Sequence, residues 1–228
     1  MTKEEIRRRI LDVGIVPVLR ASSAKLAMAA AEAICAGGIP IIEVTMTVPK
    51  AVDVIAQLAS SIGSDVLIGA GTVLSAEEAR RCIGAGAEFI VSPAFDAETV
   101  KLVNQENRLM MAGGLTPTEV VTAWKAGSDF VKVFPCGNVG GPKYIKSLKA
   151  PLPQIPLVPT GGVTLTTAAA FIRAGAAALG IGSELISEAA LTSGDFGQIT
   201  RTAEEFVAIV REEYEHLYRS RQHQAEPA

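Results

Sequence analysis

A closed (β/α)8 barrel preceded by an extra N-terminal helix is the fold this sequence predicts, on three observations. One unit, a helix ending in Ala-Gly followed by an apolar strand, recurs four times: CAGGIPIIEVT (35–45), GAGAEFIVSP (84–93), KAGSDFVKVFP (125–135) and RAGAAALGIGS (173–183). Successive copies stand about 40–50 residues apart, twice what one strand–helix unit needs. Four more apolar strands lie in or ahead of those intervals, so strands and helical patterns alternate along nearly all of the 228 residues. Such alternation indicates parallel βαβ units, and eight of them close a barrel. An open doubly wound sheet fits less well, because no strand–GxGxxG–helix opening is present.

Taken in order, MTKEEIRRRIL begins a charged amphipathic helix, with Thr2 as cap and Glu5 three residues on. GIVPVLRAS (14–22) is the first strand, SAKLAMAAAEAICAG the first barrel helix, and IPIIEVT the second strand. DVLIGAGT (65–72) is the third strand and AEEARRCIGAG the helix that leads to EFIVSP, the fourth. NRLMMAGG (107–114), DFVKVFP, QIPLVPTGG (154–162) and the strand ending in GIGS complete the eight. In each Ala-Gly unit the glycine can take the left-handed conformation that closes a helix. Lys143, Lys146 and Lys149 follow Pro142 at intervals of three and are expected on one solvated helix face. The last helix lies within 200–220. A single domain is therefore expected over 1–220, with RQHQAEPA (221–228) a disordered tail.

Bulk composition narrows the function. Hydrophobic residues make up 49% and aromatics only 5%, so the core is built from small aliphatic side chains. A net charge of −3 speaks against a nucleic-acid surface. Neither an apolar leader nor a membrane span is visible, since the most apolar stretch, 168–185, is interrupted by Arg173 and several glycines. Cys35, Cys82 and Cys136 are too few and scattered for a disulfide framework or zinc site, which fits a reducing cytoplasm.

Barrel chemistry sits at the C-terminal ends of the strands. Arg20 in VPVLRA, Glu43 in IPIIEVT and Lys132 in DFVKVFP all lie there, whereas Asp65, Glu88 and Asp129 begin strands and fall at the opposite rim. Alternation along a strand turns Phe130 and Phe134 the same way as Lys132, and Ile41 and Thr45 the same way as Glu43. One acid and two bases then converge in the barrel mouth; the plain alternative is a structural ion-pair network. Thr72, Ser92, Thr160 and Ser183 bring hydroxyls to similar places. TGG after strand seven and GIGS after strand eight supply Gly161, Gly162, Gly182 and Ser183, the loops with which this fold often holds phosphate. GAGT (69–72) lacks a third glycine and reads as a tight turn. No histidine falls near the mouth, so catalytic zinc and a histidine base are not expected. A free lysine has a pKa near 10.4, and lowering it by roughly 3 units takes about 4 kcal/mol. The apolar flanks of Lys132 and the Arg20 charge act in that direction, and Glu43 opposes them. A desolvated lysine beside a carboxylate suits Schiff-base chemistry on a carbonyl, with no cofactor.

Glu43-Val44-Thr45, Gly69-Ala70-Gly71-Thr72-Val73, Ser92-Pro93, Val131-Lys132-Val133-Phe134-Pro135, Pro159-Thr160-Gly161-Gly162-Val163 and Gly180-Ile181-Gly182-Ser183 together resemble the class I 2-keto-3-deoxy-6-phosphogluconate (KDPG) and 4-hydroxy-2-oxoglutarate aldolases, in family order from about residue 12 to 212. The resemblance implies a retro-aldol cleavage of a keto-acid sugar phosphate to pyruvate and glyceraldehyde 3-phosphate. It makes Lys132 the Schiff-base lysine and Glu43 the general acid/base. Thr72 and Thr160 then lie near the pyruvate moiety, Pro93 and Phe134 wall the pocket, and Gly161, Gly162 and Ser183 hold phosphate. Many members read E-V-T-L-R-T, with an arginine for the pyruvate carboxylate; here that position is Thr47, and Arg20 is expected to supply the charge. Members acting on the galactonate epimer resemble E-I-P-L-N-S-P at this place, unlike Thr45 and Thr47. The family also implies a homotrimer, for which the apolar residues of 44–48 are expected to serve. A non-catalytic sugar-phosphate-binding barrel and another phosphate-binding barrel enzyme are the competing readings.

Overall fold

The structure, a computed structural model, describes residues 1–63 and 65–225. Eight short parallel strands make one sheet: β1 (Ile15–Leu19), β2 (Ile41–Thr45), β3 (Leu67–Gly71), β4 (Phe89–Val91), β5 (Leu109–Gly113), β6 (Phe130–Val133), β7 (Leu157–Pro159) and β8 (Leu179–Ile181). Their order runs from β7 down to β1 and on to β8, and a bridge between Thr160 and Gly180 joins β7 to β8. The sheet is thus a closed barrel, as the alternation predicts. All strand residues are buried, which is why they read as near-continuous apolar runs.

Helices α1 (Lys3–Val13), α2 (Ala24–Ala36), α3 (Ala51–Ser61), α4 (Ala76–Gly84), α5 (Ala97–Gln105), α6 (Pro117–Lys125), α7 (Pro142–Lys149), α8 (Ala168–Arg173), α9 (Glu188–Ser193) and α10 (Phe196–Ala225) accompany the strands. Their starts are local chemistry. Ser23, Ser75, Asp96, Thr116 and Ser187 each accept a hydrogen bond from the third helical amide. Three of the four Ala-Gly units close their helices in the predicted way, with φ of 106° at Gly86, 100° at Gly127 and 95° at Gly175; in the first, Gly37 has φ of −78° and Gly38 takes the left-handed conformation instead.

Helix α1 lies across the N-terminal end of the barrel. Thr2 and Glu5 form the expected capping box, and Ile6 and Ile10 are buried. Lys3 Nζ reaches Asp129 Oδ2 at 2.9 Å and Asn104 Oδ1 at 2.6 Å, and the Arg7 guanidinium sits 5.9 Å from the centre of the Phe130 ring. Asp129 therefore lies at the rim opposite the mouth, as its place at the start of a strand predicts, and ties α1 to the barrel.

Three expectations need correction or extension. Val44 and Val48 are buried within their own barrel, and Met46 packs half-buried with its sulfur 3.7 Å from that of Cys82, so 44–48 offers no exposed apolar strip. The chain turns back there through Val48 N–H to Thr45 O. The three lysines of α7 divide: Lys143 and Lys146 are exposed, but Lys149 is half-buried and donates to Pro153 O and Ile155 O, closing the loop after its helix. Finally, α10 continues past residue 220 to Ala225, because no Gly or Pro intervenes before Pro227; 226–228 lie outside the described residues.

Candidate active site

Strands β2 and β6 lie on opposite sides of the barrel, yet Lys132 Nζ stands 3.8 Å from Glu43 Oε1. Such an approach requires both side chains to point inward. Lys132 is 4% exposed and Glu43 1%. The separation is an ion-pair distance beyond hydrogen-bond reach, and Glu43 Oε1 has no hydrogen-bond partner among the described residues. A buried carboxylate oxygen left unsatisfied is costly, and a buried ion pair seldom adds net stability. Stability alone does not account for this pair. Burial raises the Glu43 pKa above the usual carboxylate range, against the opposing charges of Lys132 and Arg20. The result is an acid able to hold a proton beside an amine.

The barrel wall makes room for that carboxylate at one place. Gly71 ends β3, paired with Thr45, and a Cβ on it would fall on the Glu43 carboxylate. Gly69, Ala70 and Gly71 are thus the last residues of the strand itself, not the tight turn expected of GAGT. Its glycines serve space: a Cβ on Gly69 would fall on the Phe89 ring. The signal in the sequence was two glycines at alternate strand positions, one face of the sheet left without side chains.

Beyond the pair, the mouth opens into two cavities that share Val18, Arg20, Gly182 and Ser183. The smaller, about 80 Å³, is lined by Phe134, Thr160, Gly161, Gly162 and Glu184 among others. The larger, about 310 Å³, includes Thr47 and Ser22 and runs beneath α9, touching Ile186, Glu188 and Leu191. Eight predicted site residues, Arg20, Thr47, Phe134, Thr160, Gly161, Gly162, Gly182 and Ser183, therefore meet around one opening. Neither cavity wall includes Lys132 or Glu43; the lysine lies behind Phe134, its Nζ 5.8 Å from that ring's centre. Thr72, half-buried after β3, and Pro93, whose backbone packs against Gly113, line neither cavity.

Local geometry ties the lysine strand to the glycine loop. Cys136 N–H donates to Thr160 O and Gly137 N–H to Gly161 O. Gly162 has φ of 79°, and a Cβ there would come within 2.6 Å of Gly137 Cα, so only glycine fits both the turn and the contact. Cys136 itself is buried, and burial pushes its thiol up to about 11, so it is no accessible nucleophile.

A family model described as KDPG and KHG aldolase matches residues 6–202. The chain belongs to that aldolase family. It is 32% identical over 198 residues to a 2-dehydro-3-deoxy-phosphogluconate aldolase of Treponema pallidum, covering 87% of this chain and 94% of the relative. It is equally close, at 33% over 199 residues, to a 2-dehydro-3-deoxy-6-phosphogalactonate aldolase of Escherichia coli, covering 86% of this chain and 93% of the relative. Among solved structures, the KDPG aldolase of Legionella pneumophila, with pyruvate captured as a covalent carbinolamine, superposes with a TM-score of 0.79 at 27% identity, over 87% of this chain and 96% of that one. As a member of this family the protein is a class I, Schiff-base aldolase.

Helix α9, which borders the larger cavity with Glu188, Leu191 and Thr192, is not among the elements expected from the sequence. Its signal was Ser187 before Glu-Ala-Ala-Leu, a capped helix start hidden by its six-residue length.

Proposed function

We propose that this aldolase cleaves 2-keto-3-deoxy-6-phosphogluconate to pyruvate and glyceraldehyde 3-phosphate through a Schiff base on Lys132. The observation that carries the reading is the buried Lys132–Glu43 pair, 3.8 Å apart at the base of a mouth rimmed by glycine loops. In this mechanism the Lys132 amine attacks the C2 carbonyl. Glu43 relays a proton to the carbinolamine hydroxyl, which leaves as water. The resulting iminium accepts the electron pair of the C3–C4 bond as the C4 hydroxyl gives its proton to the Glu43 carboxylate, and the aldehyde departs. The enamine is then protonated at C3 and hydrolysed to pyruvate, freeing Lys132.

Arg20 supplies the charge for the pyruvate carboxylate in place of the family arginine absent at Thr47. Thr72, Pro93, Phe134 and Thr160 position the pyruvate half; Gly161, Gly162, Gly182 and Ser183 receive the phosphate. The cellular setting is cytoplasmic and the assembly a homotrimer, for which sedimentation should return three times the chain mass of 23.8 kDa. The galactonate epimer is the second reading, favoured by the equal identity of the Escherichia coli relative. Parallel assays of both epimers and of 4-hydroxy-2-oxoglutarate decide the substrate. The gluconate epimer should give the highest kcat/KM, and preference for the galactonate epimer would reverse the assignment. In the same assay Arg20→Ala should raise KM about tenfold or more; an unchanged KM would remove Arg20 from the carboxylate.

A further inference from the structure

Thr47 stands where many family members carry arginine, and its hydrogen bonding limits what it can do. Thr45 Oγ1 lies 2.9 Å from Leu19 O, and a carbonyl can only accept. A hydroxyl has one proton, so that of Thr45 is committed to Leu19. The 2.7 Å contact between Thr45 Oγ1 and Thr47 Oγ1 must then use the proton of Thr47. Thr47 is left with acceptor lone pairs alone, and it lines the larger cavity together with Arg20. An acceptor-only oxygen repels a carboxylate and welcomes an N–H donor. The donor that shares this cavity is the Arg20 guanidinium. Leu19, the far end of the chain of hydroxyls, directly precedes Arg20, so the same relay fixes the peptide from which Arg20 leaves β1.

We propose that Thr47 is a positioning residue for Arg20: it accepts a guanidinium N–H and aims the remaining donors at the keto-acid carboxylate, while Thr45 holds the end of β1 in register. Threonine at 47 and arginine at 20 thus do in two residues what one arginine at position 47 does elsewhere in the family. The inference rests on Arg20 as the carboxylate partner, and its test separates the two.

The probe is pyruvate, and the readout is the pyruvate concentration that half-saturates borohydride trapping on the enzyme, beside kcat for the keto-acid phosphate. Thr47→Val should raise the half-saturating concentration about tenfold with kcat within about twofold. Thr47→Ser, which keeps the hydroxyl, should restore it. In an Arg20→Ala background Thr47→Val should add nothing, because its effect runs through that arginine. An unchanged value in Thr47→Val, no rescue by serine, or multiplying effects in the double variant would each overturn the role of Thr47. An unchanged value in Arg20→Ala alone would instead overturn the carboxylate assignment beneath it. Thr47 is exposed, and circular dichroism of each variant should match the parent.

Discussion

Glu43 and Lys132 are each costly in an apolar barrel, and each limits the cost of the other. Burial favours the neutral form of Glu43, and the Lys132 and Arg20 charges favour the anion; burial has the larger effect. The consequence for stability has a definite sign. An unfolded glutamate titrates near 4.3. With the folded pKa above that, the folded state binds more protons between the two values, and stability falls as pH rises through that window. Removing Lys132 deletes an opposing charge and should widen it. Lys132→Met is therefore expected to lose melting temperature more steeply than the parent as pH rises above about 4.3, and the added slope should vanish in Glu43→Gln, Lys132→Met. Parallel curves in thermal scans would mean that Glu43 does not feel Lys132. Both residues were legible in the sequence because a charge inside an apolar strand has so few bland explanations. Gly71 was not, because a glycine that makes room for a side chain reads like one that makes a turn.

Among the elements, the exits of β6 and β7 act as one piece. The backbone bonds from Cys136 and Gly137 to Thr160 and Gly161, and the close approach of Gly137 to Gly162, couple the strand that carries the lysine to the loop proposed for phosphate. Gly162→Ala would need a left-handed alanine and a shift of the 137 backbone. Its KM for the phosphorylated substrate should rise about tenfold or more, while kcat/KM for unphosphorylated 4-hydroxy-2-oxoglutarate stays within about threefold. Equal losses on both substrates would show that the loop serves the lysine strand and not the phosphate. The strands were read within a few residues of their true ends, since alternation, turn glycines and apolar runs are local signals. Short α9 carries too little periodicity to announce itself. The burial of Lys149 depends on the 153–155 loop folding back beneath it, which no local pattern encodes.

The whole molecule separates stability from chemistry along the barrel axis. Helix α1 closes the N-terminal end with Ile6, Ile10 and the Lys3–Asp129 pair, while Arg20, Glu43, Lys132 and the glycine loops occupy the other. Ile6→Ala should cost about 2–5 kcal/mol of unfolding free energy with kcat within about twofold at 25 °C; a matching loss of kcat in the folded variant would show that the two ends are coupled. The central claim remains the covalent role of Lys132. Borohydride reduction in the presence of pyruvate, followed by peptide mass mapping, tests it most directly. A reduced pyruvyl adduct on the peptide containing Lys132, absent from Lys132→Met, is the expected result. No adduct, or an adduct on another lysine, would contradict the account.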